Sequence, residues 1–148
     1  MKEGTIKTLI KSGILRARQT DKEKIKSMIN SAEVNAAVAR NISLNEDSAT
    51  LIFREIYESI RQLGDAFWWF LGYEPANHEI SLDILQELPV EERVKLNFLG
   101  RFKQIRHDAN YKGFRVSIPQ AKEIIDFWDI CGREMIKLIN KKLQNNRI

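Results

Sequence analysis

The densest internal positive stretch of this 148-residue chain is RVKLNFLGRFKQIRHDANYKGFR, Arg93 to Arg115, with seven Lys and Arg residues against one Asp. A run of that kind can bind the phosphates of nucleotides or nucleic acid, and it can equally be a solvated helix face turned toward an acidic neighbour. Within it, Val94, Phe98, Phe102, Ile105 and Ala109 step by fours and threes and define an apolar seam. At about 100° per residue, Arg106 and Asn110 fall on one flank of that seam, roughly 40° apart, while Arg101 and Asp108 fall on the other. His107 then points nearly opposite the seam. A flank borders a neighbouring helix or subunit, where a guanidinium can be held and still reach a phosphate. The alternative, an ordinary boundary pair at Arg106 and Asn110, stays open. Tyr111 lies about 140° from Arg106 on an ideal helix. Unwinding at Lys112-Gly113 would turn its phenol toward the arginine.

Other chemistries lack their residues. His78, His107 and Cys131 form no metal-ligand spacing, and no H-E-x-x-H or paired E-x-x-H occurs, so no metal and no cofactor are expected. No glycine cluster forms a phosphate loop or dinucleotide fingerprint. The single cysteine, Cys131, sits on an apolar helix stripe and reads as a buried small hydrophobe rather than a nucleophile.

The elements that must position the basic stretch are helical, because apolar residues recur at threes and fours nearly everywhere. A short leading helix carries Ile6, Leu9 and Ile10 and is capped by Gly13. Thr20-Asp21-Lys22-Glu23 reads as a capping box that starts a helix running to about residue 40. After the polar linker 41–48, a long helix runs to Leu71 and stops at Gly72 and Pro75. Its stripe of Ile52, Ile56, Ile60, Leu63, Phe67 and Leu71 is widened by Phe53, Tyr57, Trp68, Trp69 and Phe70, so it must be covered on more than one side. His78 to Leu88 reads as a short helix, and residues 90 to 111 as a third long one opened by Pro89. Ser117-Ile118-Pro119-Gln120 is a second capping box, starting a last helix to about Leu143. Gly64, Gly100 and Gly132 lie inside long helices, where close helix approach would explain them.

Four long helices with short loops predict an all-α fold, an antiparallel four-helix up-and-down bundle with one or two short extra helices. The length is that of one domain, 1–148, with a basic tail at about 144–148. With 43% hydrophobic and 30% charged residues, disordered and collagen-like classes are excluded. No apolar run reaches membrane-span length, lysines interrupt the start MKEGTIKTLIKSG, and one cysteine calls for no oxidising compartment; a cytoplasmic, non-membrane address is expected. The net charge of +4 conceals blocks: +5 over 1–26, −9 over 27–92, +6 over 93–115, −2 over 116–132 and +4 over 133–148.

A long helix ending LGYEPANHEISLDILQELP, followed by a helix ending RHDANYKGFRVSIPQAKEII, resembles the HEPN family (higher eukaryotes and prokaryotes nucleotide-binding domains) over roughly residues 5–143. The resemblance rests on the glycine-then-histidine connection at Gly72 and His78, on Arg106 followed by the polar His107, and on the capped helix from Ser117. It implies a helical bundle, homodimers that bring the third long helices together, and a nucleotidyltransferase partner acting as antitoxin. It further implies a metal-independent ribonuclease built on an arginine, four to six residues, then a histidine. The arginine stabilises charge on the phosphate in flight, and the histidine moves a proton during attack by the ribose 2′-hydroxyl. Arg101 and His107 satisfy that spacing, although an ideal helix separates them by roughly 120° and residue 102 is apolar where the family has a polar residue. Arg106 fits the arginine slot better, with Tyr111, Lys112 and Gly113 where the histidine would stand. Tyrosine is a poor proton acceptor at pH 7, its ordinary pKa being near 10. The RHDANY version is similar to a branch with tyrosine in that place. His78 can be read as the absent base or as a cap of the connection after the second helix.

The expected function is therefore HEPN-like binding of RNA or nucleotide phosphate, extending to RNA cleavage as the toxin of a toxin–antitoxin pair. Arg106 would hold the phosphate, Asn110 orient it and Tyr111 donate a hydrogen bond, with Lys103, Lys112 and Arg115 supplying attraction. The alternative is a non-catalytic helical module whose basic helix docks a partner subunit.

Overall fold

Fourteen of the 22 residues of the helix Ala49–Phe70 are buried, which makes it the element around which the others gather. The computed structural model describes residues 1–145. In chain order these form α1 Glu3–Lys11, β1 Leu15–Ala17, α2 Lys22–Arg40, α3 Ala49–Phe70, β2 Tyr73–Pro75, 3-10 turns Asp83–Glu87 and Arg93–Asn97, α4 Phe98–Tyr111 and α5 Ile118–Phe127. A π-helical turn, Trp128–Gly132, carries α5 into α6 Arg133–Asn145. The fold is mainly α, as the periodicity predicts. Of the expected basic tail, residues 146–148 lie outside the described residues, and 144 and 145 end α6.

Helix α3 is wrapped because it is apolar over most of its circumference. α2 packs along one side through Ile25, Ile29 and three alanines, Ala32, Ala36 and Ala39, and the small alanine side chains admit a close approach. α4, α5 and α6 also reach α3, and Phe53, Phe102 and Phe127 meet edge-to-face at centroid distances of 5.9 and 5.4 Å. Such pairs add roughly 0.5–1.5 kcal/mol beyond their burial.

Local signals explain most boundaries. Ser117 and Gln120 form the expected capping box, with Pro119 in the first turn of α5. Gly72, at φ +94°, ends α3, and Gly13, at φ +79°, follows α1. The cap of α2 differs from expectation. Asp21 rather than Thr20 takes the N-cap, its carboxylate accepting the Lys24 amide at 3.0 Å. A charged acceptor there also faces the positive end of the helix dipole.

The stretch between α3 and α4 departs furthest from the periodic reading. The short helix expected over His78–Leu88 is only the 3-10 turn Asp83–Glu87, because Ile80, Leu82, Ile84, Leu85 and Leu88 are all drawn into the core at spacings no single helix face provides. The third long helix starts at Phe98 rather than near 90. Arg93 donates to the carbonyls of Leu88 and Gln86 at 3.0 and 2.9 Å, which fixes a turn there. Val94, expected in the seam, is 79% exposed, and Leu96 and Leu99 are buried in its stead. The antiparallel pair β1–β2, in register Leu15↔Pro75, Arg16↔Glu74 and Ala17↔Tyr73, ties the α1–α2 connection to the end of α3. Its anchor is Arg18, whose Nε donates to Glu74 at 2.7 Å.

Candidate functional site

Two helices and one connection bring polar side chains together in a cleft of about 370 Å³. α3 contributes Tyr57 and Arg61, α4 contributes Lys103, Arg106, His107 and Tyr111, and the connection after β2 contributes His78 and Glu79. Lys103 precedes Arg106 by three residues and His107 by four, and His107 precedes Tyr111 by four, so the α4 residues share a face. That face borders the buried seam of Phe102 and Ala109, which is why Arg106 is half-buried while Lys103 and His107 are exposed.

Arg106 lies with its guanidinium over the Tyr57 ring, 5.6 Å from the centroid. Among the described residues it forms no ion pair, whereas its neighbours Arg101 and Lys112 each hold a carboxylate. Burial pushes the Tyr57 phenol up, against the opposing pull of the Arg106 and Arg61 charges. The hydroxyl therefore stays protonated at neutral pH and remains a hydrogen-bond donor.

Arg61 is differently engaged. With its side chain 11% exposed, it donates to the Glu58 carboxylate, to Asp65 Oδ2 at 2.6 Å and to His78 Nδ1 at 2.6 Å. Its hydrogen bond holds the Glu58 carboxyl below the usual range, against the effect of burial. Asp65 is raised, chiefly by burial, while the Ser81 hydrogen bond and the Arg61 charge work against that rise. The Ser81 hydroxyl donates to Asp65 Oδ1 at 2.5 Å.

The connection carrying His78 and Glu79 is fastened on both sides. Trp68 Nε1 donates to the Ile80 carbonyl and Lys103 Nζ to the Glu79 carbonyl, each at 2.9 Å. Gly64 lets the Ser81 backbone lie directly on α3, where any Cβ would fall on the Ser81 carbonyl. Of the three mid-helix glycines, Gly100 has open space around it, and Gly132 makes room for the Trp128 ring in the π-helical turn.

Arg106 and Tyr111 share the cleft without the unwinding the sequence suggested, since α4 persists through Tyr111. The Tyr111 ring rests on His107, with centroids 4.8 Å apart. Side chains on a helix lean toward its N-terminus, so long Tyr111 reaches back to the cleft. Asn110 does not line it: the residue is exposed, and its short side chain ends a turn beyond. The alternative pair Arg101 and His107 is not brought together. Arg101 turns away to Glu123 and the Phe98 ring, while His107 lines the cleft rather than pointing to bulk water alone.

Lys103 lines the cleft as a cation, but Lys112 pairs with Asp108 at 3.4 Å. Arg115 donates to the carbonyls of Glu46 and Asp47 at 3.1 and 3.3 Å, fastening the α2–α3 linker. Tyr57, Arg61 and Glu79 were not anticipated as lining residues. Glu58, Arg61 and Asp65, spaced by three and four along one side of α3 and so able to pair with one another, were the available sign. Cys131 is buried, and burial raises its thiol, so it packs as a small apolar group.

Among the described residues no three His, Cys, Asp or Glu side chains are grouped to hold a metal ion, and no helix is long and apolar enough to cross a membrane. Comparison with family models, with curated proteins and with solved structures finds no match.

Proposed function

We propose that the α3–α4 cleft binds the phosphate backbone of single-stranded RNA in a HEPN-like manner. The observation that carries the reading is Arg106: half-buried, oriented over Tyr57, free of any carboxylate ion pair among the described residues, and opening on the cleft beside Lys103 and His107. A guanidinium in that state keeps its donors for a ligand in the cleft, which suits a phosphate. The lining is not uniformly cationic, because Glu79 faces the same space and Arg61 is taken up by carboxylates. The attraction is therefore local to Arg106 and Lys103.

A strand is favoured over a lone nucleotide by what lines the cleft. Tyr111, which lines the cleft, is 73% exposed, whereas Phe114, 61% exposed, lines a separate hollow with Ile105 and Asp108. An exposed aromatic ring in a cationic groove offers a stacking surface to a base of the strand, worth roughly 1–3 kcal/mol. Docking of an acidic protein on a continuous basic helix face is less favoured, since Arg101, Lys112 and Arg115 are each turned to an internal partner.

The test is fluorescence anisotropy of a labelled single-stranded RNA with wild-type protein and Arg106→Ala. A lost charge-assisted contact weakens binding by about tenfold or more. Equal affinity in the two proteins overturns the reading. The same RNA incubated in excess chelator and run on a denaturing gel shows whether binding proceeds to metal-independent cleavage.

A further inference from the structure

Arg61 is costly as a piece of packing. Its side chain is 11% exposed and that of Asp65 12%, and ion pairs so far out of water contribute little net stability compared with apolar replacements. Its partners show where the arrangement leads. Ser81 donates to Asp65, Asp65 and Glu58 accept from Arg61, and Arg61 extends to His78, which lies in the cleft with Arg106. The connection bearing His78 is held besides by Trp68, Lys103 and the missing side chain at Gly64.

The contact with Arg61 also determines which ring nitrogen carries the proton. A guanidinium has donors only, so His78 Nδ1, 2.6 Å from Arg61 Nη1, must be the bare acceptor nitrogen. In a neutral imidazole the proton then sits on Nε2.

We propose that His78 is a second ligand-contacting residue of the cleft, held by Arg61 as the neutral Nε2–H tautomer so that Nε2–H donates a hydrogen bond to a phosphate oxygen of the strand whose charge Arg106 meets. Arg61 is the positioning residue and does not itself touch the ligand. This assignment rests on the phosphate-binding reading of the cleft. It gives the Glu58–Arg61–Asp65–Ser81 network a purpose other than stability.

Nitrogen-15 NMR of histidine-labelled full-length protein at neutral pH, without ligand, reads the tautomer directly. The expected result is a protonated Nε2 and a bare Nδ1 at His78 in the wild type, and a mixed tautomer signal in Arg61→Gln. An Nδ1–H tautomer in the wild type overturns the proposal. Because Arg61→Gln disturbs buried carboxylates, exposed His78 supplies an independent arm. A glutamine amide nitrogen can stand near Nε2 and an asparagine amide nitrogen near Nδ1. With the labelled RNA, His78→Gln should bind within a few-fold of wild type, while His78→Asn and His78→Ala should bind about tenfold more weakly. Wild-type affinity in His78→Ala overturns the proposal, as does equal weakening in all three variants. Arg106→Ala in the same titration separates the two claims: loss there with unchanged His78→Ala leaves the phosphate reading and removes this one, whereas no loss there removes the phosphate reading itself.

Discussion

The Arg106 guanidinium stands 5.6 Å from the centroid of the Tyr57 ring, joining the middle of α4 to the middle of α3 at the wall of the cleft. A cation over an aromatic face is held by the ring quadrupole with about 0.5–1 kcal/mol at partly exposed sites. The ring therefore limits the rotamers of a long side chain before any anion arrives, which lowers the ordering cost of binding. Tyr57→Phe keeps the ring face and should retain RNA affinity to within about twofold, whereas Tyr57→Leu should weaken it by roughly two- to fivefold. Anisotropy titrations check both. Equal losses in the two variants would assign the effect to the hydroxyl instead.

Glu58 makes stability depend on acid. Its hydrogen bond from Arg61 holds the folded-state carboxyl below the ordinary value of 4.5, so the unfolded chain takes up the proton first as pH falls. The stabilisation is fully present above that value and is lost as pH falls through the folded-state value. Asp65 acts in the opposite sense, because burial raises its carboxyl and its ionisation costs the folded state as pH rises. Thermal unfolding followed by circular dichroism between neutral and acidic pH should show Glu58→Gln with a shallower fall of Tm on acidification than wild type. Parallel curves would mean that Arg61 does not favour the Glu58 carboxylate in solution.

Periodicity made the helices legible, since α2, α3 and α5 each bury residues at threes and fours and are bounded on one side by clear capping chemistry, Asp21 before α2, Gly72 after α3 and Ser117 before α5. The strands β1 and β2 were not legible because three residues are too few to display alternation. The start of α4 was hidden by Val94, an apolar residue that continues the pattern on paper but faces water in the fold. Within the cleft, Arg106 was reachable from spacing along one helix, whereas Tyr111, about 140° away by spacing, was named only through an unwinding that α4 does not show. Arg61 and the orientation of His78 were not reachable, because their contact spans 17 residues and a connection without regular structure.

The glycines give a paired stability test. At Gly64 a methyl group would fall on the Ser81 carbonyl, a backbone group that cannot swing aside, so Gly64→Ala should lose about 1–3 kcal/mol and lower Tm by roughly 2–12 °C. Gly100 has nothing within 4 Å of the corresponding position. Gly100→Ala should instead gain up to about 1 kcal/mol from helix propensity. Urea or thermal unfolding distinguishes the two, and a stabilised Gly64→Ala would show that the connection does not lie on α3 in solution.

Salt dependence distinguishes cations that meet phosphate from those that serve the fold. Each phosphate neutralised on a single strand contributes about −0.7 to the slope of log affinity against log salt. Arg106 and Lys103 line the cleft, and the Lys103 ammonium keeps two donors beyond the one it gives the Glu79 carbonyl, so replacing either by alanine should weaken binding and flatten that slope by about 0.7. Arg101 is paired with Glu123, and the Arg115 guanidinium is spent on the carbonyls of Glu46 and Asp47. Their alanine variants should keep the wild-type slope, with Arg115→Ala losing thermal stability because the α2–α3 linker is released. RNA titrations at several salt concentrations give all four slopes in one experiment. A slope that flattens in Arg101→Ala and not in Arg106→Ala would move the phosphate contact to the other flank of α4.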